Sequence, residues 1–207
     1  MTSPGRFIVL EGGEGAGKST HAHAVQAWLE SKGRQTQLTR EPGGSPLAEA
    51  IRGVVLGDWH EGIDPTTEAL LIFAARAAHV RATIRPALQA GTDVICDRFV
   101  DASYAYQGAG RGLSKDWLAE LESHVLGDLK PDLVILLDVD PQLGMQRAKA
   151  RGDLNRFDTE ALAFMHRVRA AYLQRALADP KRYAVIDGSE PKDVVSQSII
   201  RVLEQRL

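Results

Sequence analysis

Residues 7–19 read Phe7-Ile8-Val9-Leu10-Glu11-Gly12-Gly13-Glu14-Gly15-Ala16-Gly17-Lys18-Ser19. A short apolar run ends in an acid, a glycine-rich turn follows, and amphipathic spacing predicts a helix over residues 18–32. Gly12 to Ser19 matches G-x-x-x-x-G-K-[ST] in full and sits in the strand–turn–helix context that the pattern needs. Glycines let successive backbone N–H groups turn toward one anion, and the helix N-terminus adds its dipole. Gly12, Gly13, Glu14, Gly15, Ala16, Gly17, Lys18, Ser19 and the adjoining Thr20 are therefore the predicted triphosphate-binding residues. Lys18 is placed to reach the β- and γ-phosphates, and the Ser19 hydroxyl to ligate Mg²⁺.

Working outward, apolar runs alternate with amphipathic segments. Strands are expected at 35–39, 94–96, 133–137 and 183–186, besides the first at 7–10. Helices are expected at 46–56, 65–90, 114–127, 141–150, 159–178 and 191–207. Leu47, Ile51, Val54 and Val55 fall on one side of the 46–56 helix, and Pro86 is placed to kink the alanine-rich 65–90 helix near its end. Five strands alternating with helices predict an α/β fold in three layers, a five-stranded parallel sheet with helices on both faces. One domain over residues 1–207 is expected, with no repeat and no linker. Ligands in such sheets bind beyond the carboxyl ends of the strands.

Bulk properties narrow the classes. A formal net charge of -2 gives no overall attraction to nucleic acid or membrane. Cys96 is the single cysteine, which rules out an intrachain disulfide and suits a reducing compartment. No apolar stretch approaches the roughly 20 residues of a membrane span, and the first residues lack a signal-peptide core, so a cytoplasmic protein is expected.

Asp97-Arg98-Phe99 closes the 94–96 strand. A carboxylate beside the phosphate loop can hold Mg²⁺ and orient an acceptor, and Arg98 suits bidentate phosphate binding. A purely structural Asp–Arg pair is the competing reading. The only asparagine, Asn155, lies in Asn155-Arg156-Phe157-Asp158 between helices rather than after a strand, which argues against a guanine-reading switch. A small kinase, a P-loop ligase or synthetase, and a non-catalytic nucleotide sensor remain.

Several segments together resemble bacterial thymidylate kinases along nearly the whole chain. They are Glu11 to Thr20, Thr39-Arg40-Glu41-Pro42-Gly43-Gly44, Phe73-Ala74-Ala75-Arg76, Asp97-Arg98-Phe99, Ala105-Tyr106-Gln107-Gly108 and Arg147 to Arg156. The resemblance implies a P-loop kinase fold, ATP and dTMP as substrates, Mg²⁺ as cofactor and a homodimer packed through long helices. It implies that Arg98 holds the monophosphate, with Arg52 as a second candidate, and that Arg76 donates to a thymine carbonyl. Ser103 would meet the base, Gln107 the base or sugar, and Tyr106 would crowd the ribose 2′ position. Phe73 would stack on thymine. The family spacing is often F-x-x-x-R, though, and here Ile72 stands four before Arg76. A different nucleoside monophosphate kinase, or a deoxynucleoside kinase, is the close rival.

Arg147, Lys149, Arg151 and Arg156 form a basic stretch around Gly152. A solvated face is the ordinary explanation. The phosphate loop carries no arginine, however, and has Glu14 at a variable position. The resemblance therefore suggests a lid over about 147–157 that supplies the catalytic arginine, assigned to Arg151, with Arg156 second. The expected catalytic set is Lys18, Arg98, Arg151, Asp97 and Glu14. The expected metal set is Ser19, Asp97 and, facing the metal, Glu41.

Overall fold

The computed structural model describes residues 4–152, 157 and 160–207. Strands β1 (Phe7–Glu11), β2 (Thr36–Arg40), β3 (Asp93–Asp97), β4 (Leu133–Asp138) and β5 (Tyr183–Asp187) form one sheet in the order β2-β3-β1-β4-β5. Every pairing is parallel. The inner strands β1, β3 and β4 are apolar and buried almost throughout, as a sheet covered on both faces requires.

The helices are α1 (Lys18–Ser31), α2 (Pro46–Leu56), α3 (Pro65–His79), α4 (Arg85–Gln89), α5 (Val100–Ser103), α6 (Lys115–Leu126), α7 (Pro141–Arg151), α8 (Leu162–Ala178) and α9 (Lys192–Arg206). Several starts are written in the sequence as side-chain caps. Ser45 accepts from the Ala48 N–H, Asp64 from those of Thr66 and Thr67, and Asp140 from that of Gln142.

Alternate strand residues point to opposite faces and build two cores. Ile8, Leu10, Ile95, Ile135 and Leu137 pack with Ala22, Val25 and Leu29 of α1 and with Val195, Ile199 and Leu203 of α9. Phe7, Val9, Val94, Cys96, Val134 and Leu136 pack on the other face with α3, α6 and α8.

Three local expectations change. The 65–90 helix is not one α-helix: a π-helical turn at Val80–Ile84 separates α3 from α4. Pro86 has no N–H to give and its ring conflicts with the carbonyl four residues back, so the hydrogen-bond register widens just before it. The segment after α5, Tyr104–Gly110, which lies outside every expected helix, is also π-helical. Two glycines weaken its local propensity, but burial of Tyr104, Ala105, Tyr106 and Gln107 overrides that. On α2, Val55 is buried while Leu47 and Val54 are 64% and 40% exposed, so the apolar side faces the core only in part.

The register brings the functional ends together. Leu10 lies between Asp97 of β3 and Ile135 of β4. The glycine-rich turn therefore leaves the sheet beside Asp97-Arg98, at the point where the strand order reverses.

Candidate active site

The turn after β1 packs against α7. A Cβ on Gly15, whose φ is +68°, would lie 2.0 Å from the Gly144 carbonyl oxygen, so this contact admits only glycine. The same packing carries the C-terminal residue of α7, Arg151, to the rim of a cavity of about 490 Å³. Lys18 Nζ donates to the Gly13 carbonyl at 2.8 Å, folded over the loop. Ser19 Oγ donates to Asp97 Oδ2 at 2.5 Å, joining the first helix turn to the end of β3. Lys18, Ser19, Thr20, Asp97 and Arg98 all line the cavity.

Arg98 has φ +70°, the only non-glycine in the left-handed region among the described residues. Such strain persists where surrounding contacts over-determine it. Here its N–H donates to the Leu10 carbonyl at 2.9 Å. Its guanidinium donates to the Gly12 carbonyl at 3.0 Å and to Glu14 Oε1 at 2.6 Å, and lies 5.0 Å from the Tyr106 ring centroid. The Tyr106 hydroxyl donates to the same Glu14 oxygen at 2.9 Å. Beneath them, Glu11 accepts from the Phe99 N–H at 2.8 Å and from the Tyr172 hydroxyl at 2.9 Å. Burial, then the Asp101 charge, push the Glu11 carboxyl up to about 8, against the opposing pull of Arg98.

The electrostatics fit an anion. Burial and the Arg98 charge hold the Lys18 ammonium below its usual value. Burial and the Arg40 and Arg98 charges do the same to Arg52, which donates to the Pro42 carbonyl at 2.8 Å and also lines the cavity. Burial alone would raise the Glu14 carboxyl, but Arg98 and Lys18 outweigh it and hold it low. The Lys18 and Arg52 charges, disfavoured by burial and by Arg98 in a shared cleft, are relieved by a bound phosphate.

The cavity continues to a buried arginine. Arg76 is 1% exposed; its Nε donates to Glu41 Oε2 at 2.7 Å, Nη1 to Ser103 Oγ at 2.9 Å and Nη2 to the Phe99 carbonyl at 3.0 Å. Gln107 donates to Glu68 at 2.7 Å, and Arg111 pairs with the same carboxylate at 3.3 Å. Ser103, Tyr106, Gln107 and Arg76 all line the cavity.

Two sequence-assigned residues, Glu41 and Phe73, have protein partners in the structure. Glu41 lines the cavity, and its two oxygens meet Arg76 Nε at 2.7 Å and His79 Nδ1 at 3.1 Å. Phe73 is not among the lining residues. Its ring lies under the Arg76 guanidinium, 4.8 Å from centroid to Cζ, and Ile72 lines the cavity instead. The residue four before Arg76, the position of the family's F-x-x-x-R phenylalanine, is thus the one that faces the cavity. Arg147 also differs from its neighbours in the basic stretch. It donates to the Gly188 and Ser189 carbonyls at 2.7 and 2.9 Å, tying α7 to the loop after β5. Arg156 and Asn155 lie outside the described residues, as does Thr159, the expected start of α8. Sequence reasoning missed Phe157, which lines the cavity and meets the Tyr106 ring edge-on at 5.7 Å. Its signal in the sequence was an aromatic inside a basic polar stretch.

A phosphate loop sharing one cleft with Arg98 and the rim residue Arg151, on this strand order, defines the P-loop kinase class of fold. Comparison with known proteins agrees and goes further. The family model described as thymidylate kinase matches residues 10–199. A thymidylate kinase from Pseudomonas savastanoi pv. phaseolicola (strain 1448A / Race 6) is 53% identical over 203 residues, covering 98% of this chain and 97% of that protein. One from Pseudomonas fluorescens (strain SBW25) is 53% identical over 199 residues, covering 96% and 95%. The crystal structure of thymidylate kinase from Ehrlichia chaffeensis superposes with a TM-score of 0.79 at 31% identity, covering 97% of this chain and all of that one. The chain belongs to the thymidylate kinase family, and its activity is that of a dTMP kinase.

Proposed function

We propose that Lys18, Arg98 and Arg151 enclose the transferring phosphoryl group from the donor side, the acceptor side and the lid. The observation that carries this reading is that all three line one continuous cavity. An acceptor phosphate already bears negative charge, so the step needs no strong base and no covalent enzyme intermediate. Alignment and charge neutralisation are sufficient. Arg98 and Arg52 hold the dTMP phosphate, Glu14 exchanging its hold on Arg98 as the phosphate enters. Arg76, Ser103 and Gln107 face the base, and Tyr106 limits the space at the sugar. Arg151 brings charge to the equatorial oxygens late, and closure around it excludes water, which suppresses ATP hydrolysis.

Mg²⁺ fits the donor set. Ser19 and Asp97 offer hard oxygens 2.5 Å apart beside the phosphate loop. Mg²⁺ usually takes one or two such ligands and fills the rest with phosphate and water. Accordingly, no cluster of three acidic, His or Cys groups is needed, and none occurs among the described residues. When bound, the ion would supply positive charge against the donor phosphates. Ser19 and Asp97 would hold it, at the end of β3 beside the phosphate loop.

The same reading makes residues 1–207 one kinase domain with a lid near 147–157 of the arginine-supplying kind. It makes the protein a homodimer, supported by the solvent-facing Leu47 and Val54 of α2 and Leu70 of α3. It places the protein in the cytoplasm, supported by the free thiol of buried Cys96. Among the described residues no helix is long and apolar enough to cross a membrane.

A bisubstrate probe tests the enclosure. A thymidine and an adenosine joined through a polyphosphate chain should compete with both ATP and dTMP. Competition with only one of them would separate the two sites and defeat the reading.

A further inference from the structure

A chain of polar groups, buried except for the half-buried Thr39 at its end, stands behind Arg76, and the phosphoryl-transfer scheme does not use it. His79, the last residue of α3, is fully buried one helical turn beyond Arg76. Its Nδ1 lies 3.1 Å from Glu41 Oε1 and its Nε2 2.7 Å from Thr39 Oγ1. A carboxylate oxygen only accepts, so Nδ1 donates to it. The turn that carries Glu41 is fastened to the same helical run. A Cβ on Gly44 would lie 2.3 Å from His79 Nε2 and 2.4 Å from Thr39 Oγ1. The Thr83 hydroxyl donates to the Gly44 carbonyl at 2.7 Å.

Neither His79 nor Thr39 lines the cavity, but the chain ends on a group that does. A guanidinium has five N–H bonds. Glu41, Ser103 and the Phe99 carbonyl take three, leaving one on each terminal nitrogen. The Phe73 and Phe99 rings, 4.8 and 5.6 Å from Cζ, confine its plane. Glu41 also neutralises its charge. Such an arginine acts as a directed N–H donor toward a neutral acceptor more than as an anion trap. Burying an ion pair together with a histidine brings little net stability, so its worth here lies in fixing direction.

We infer that His79 is a positioning residue for acceptor-base selection. Through Glu41 it sets the angle of the Arg76 guanidinium, and so favours a pyrimidine with a carbonyl at position 4 over one with an amino group. This rests on the proposed base-facing role of Arg76. An amino group at that position would set donor against donor, which is where hydrogen-bonding sites discriminate most strongly.

The experiment compares dTMP with 5-methyl-2′-deoxycytidine monophosphate, which differs from it at position 4, in the full-length enzyme. His79→Leu should lower the ratio of kcat/KM between the two acceptors by roughly tenfold or more. The loss should appear in KM for dTMP, with kcat and KM for ATP nearly unchanged. His79→Asn, which returns an N–H toward Glu41, should recover most of the ratio. Thr39→Val, a milder change at the far end of the chain, should move it in the same direction if His79→Leu does not fold. An unchanged ratio in the folded variants, or an equal loss for both acceptors, overturns the inference. Arg76→Met separates the premise. If it too leaves the ratio intact, the base-facing role of Arg76 fails; if it collapses the ratio while the His79 variants do not, only the positioning role fails.

Discussion

Glu14 and Arg98, 84 positions apart in the chain, meet in a 2.6 Å ion pair between the phosphate loop and the end of β3. The pair holds the Arg98 guanidinium in place beside the phosphate loop, and Tyr106 is shared by both partners. The cleft is thus set for an anion by groups that already neutralise one another.

Arg98→Ala removes the acceptor cation and leaves Glu14 buried without its ion-pair partner. We expect kcat/KM for dTMP to fall by on the order of 10²–10³, as when one preorganised donor is lost. KM for ATP should change far less. Steady-state ADP release decides it, with circular dichroism to confirm folding. A variant retaining near-normal kcat/KM would remove Arg98 from acceptor binding.

Arg151→Ala should act on turnover rather than on binding. A transition-state arginine contributes roughly 10³ or more in kcat, whereas both KM values should stay within a few-fold. Unchanged kcat takes Arg151 out of the mechanism and leaves it part of a solvated basic rim.

The strands and the phosphate loop were legible because their signals are local. Apolar runs 7–10 and 133–137, bounded by acids and turn residues, became β1 and β4 with ends shifted by a residue or so. Caps such as Ser45 and Asp64 sit beside the helices that they start. What was not legible depends on distant partners. Glu41 has the spacing of a strand-end metal ligand, but Arg76 and His79, 35 and 38 residues away, claim its oxygens. Tyr172 reaches Glu11 across 161 positions, a contact with no local trace. Tyr104–Gly110 falls outside the expected helices because its glycines are local while the burial that makes it helical is not.

Ile72 and Phe73 should separate cleanly. Ile72→Ala enlarges the cavity wall, raising KM for dTMP with a small loss of stability. Phe73→Ala empties a core site under Arg76 and should cost about 3–5 kcal/mol of stability. Thermal denaturation and dTMP saturation curves on both variants test this. A Phe73 variant that is stable but poor at dTMP binding would return the stacking role to Phe73.

Glu11 predicts a pH dependence of stability. Its carboxyl is raised from 4.5 to about 8, first by burial and then by Asp101. Between those values the folded protein keeps a proton that the unfolded chain has lost. The contribution is therefore intact below about 4.5, declines as pH rises, and is gone above about 8. Its size is on the order of a few kcal/mol. Glu11→Gln keeps the shape and removes the titration, so its Tm should fall less than that of the wild type from pH 5 to pH 9. Parallel Tm curves would place the buried proton elsewhere.

The most direct measurement is a panel of monophosphate acceptors, dTMP, UMP, CMP and GMP, in a coupled assay of ADP release. The cleft built from Arg76, Ser103, Tyr106 and Arg98 predicts that ADP release depends on the acceptor and is fastest by far with dTMP. Preference for UMP, CMP or GMP, or ADP release indifferent to any acceptor, would contradict it.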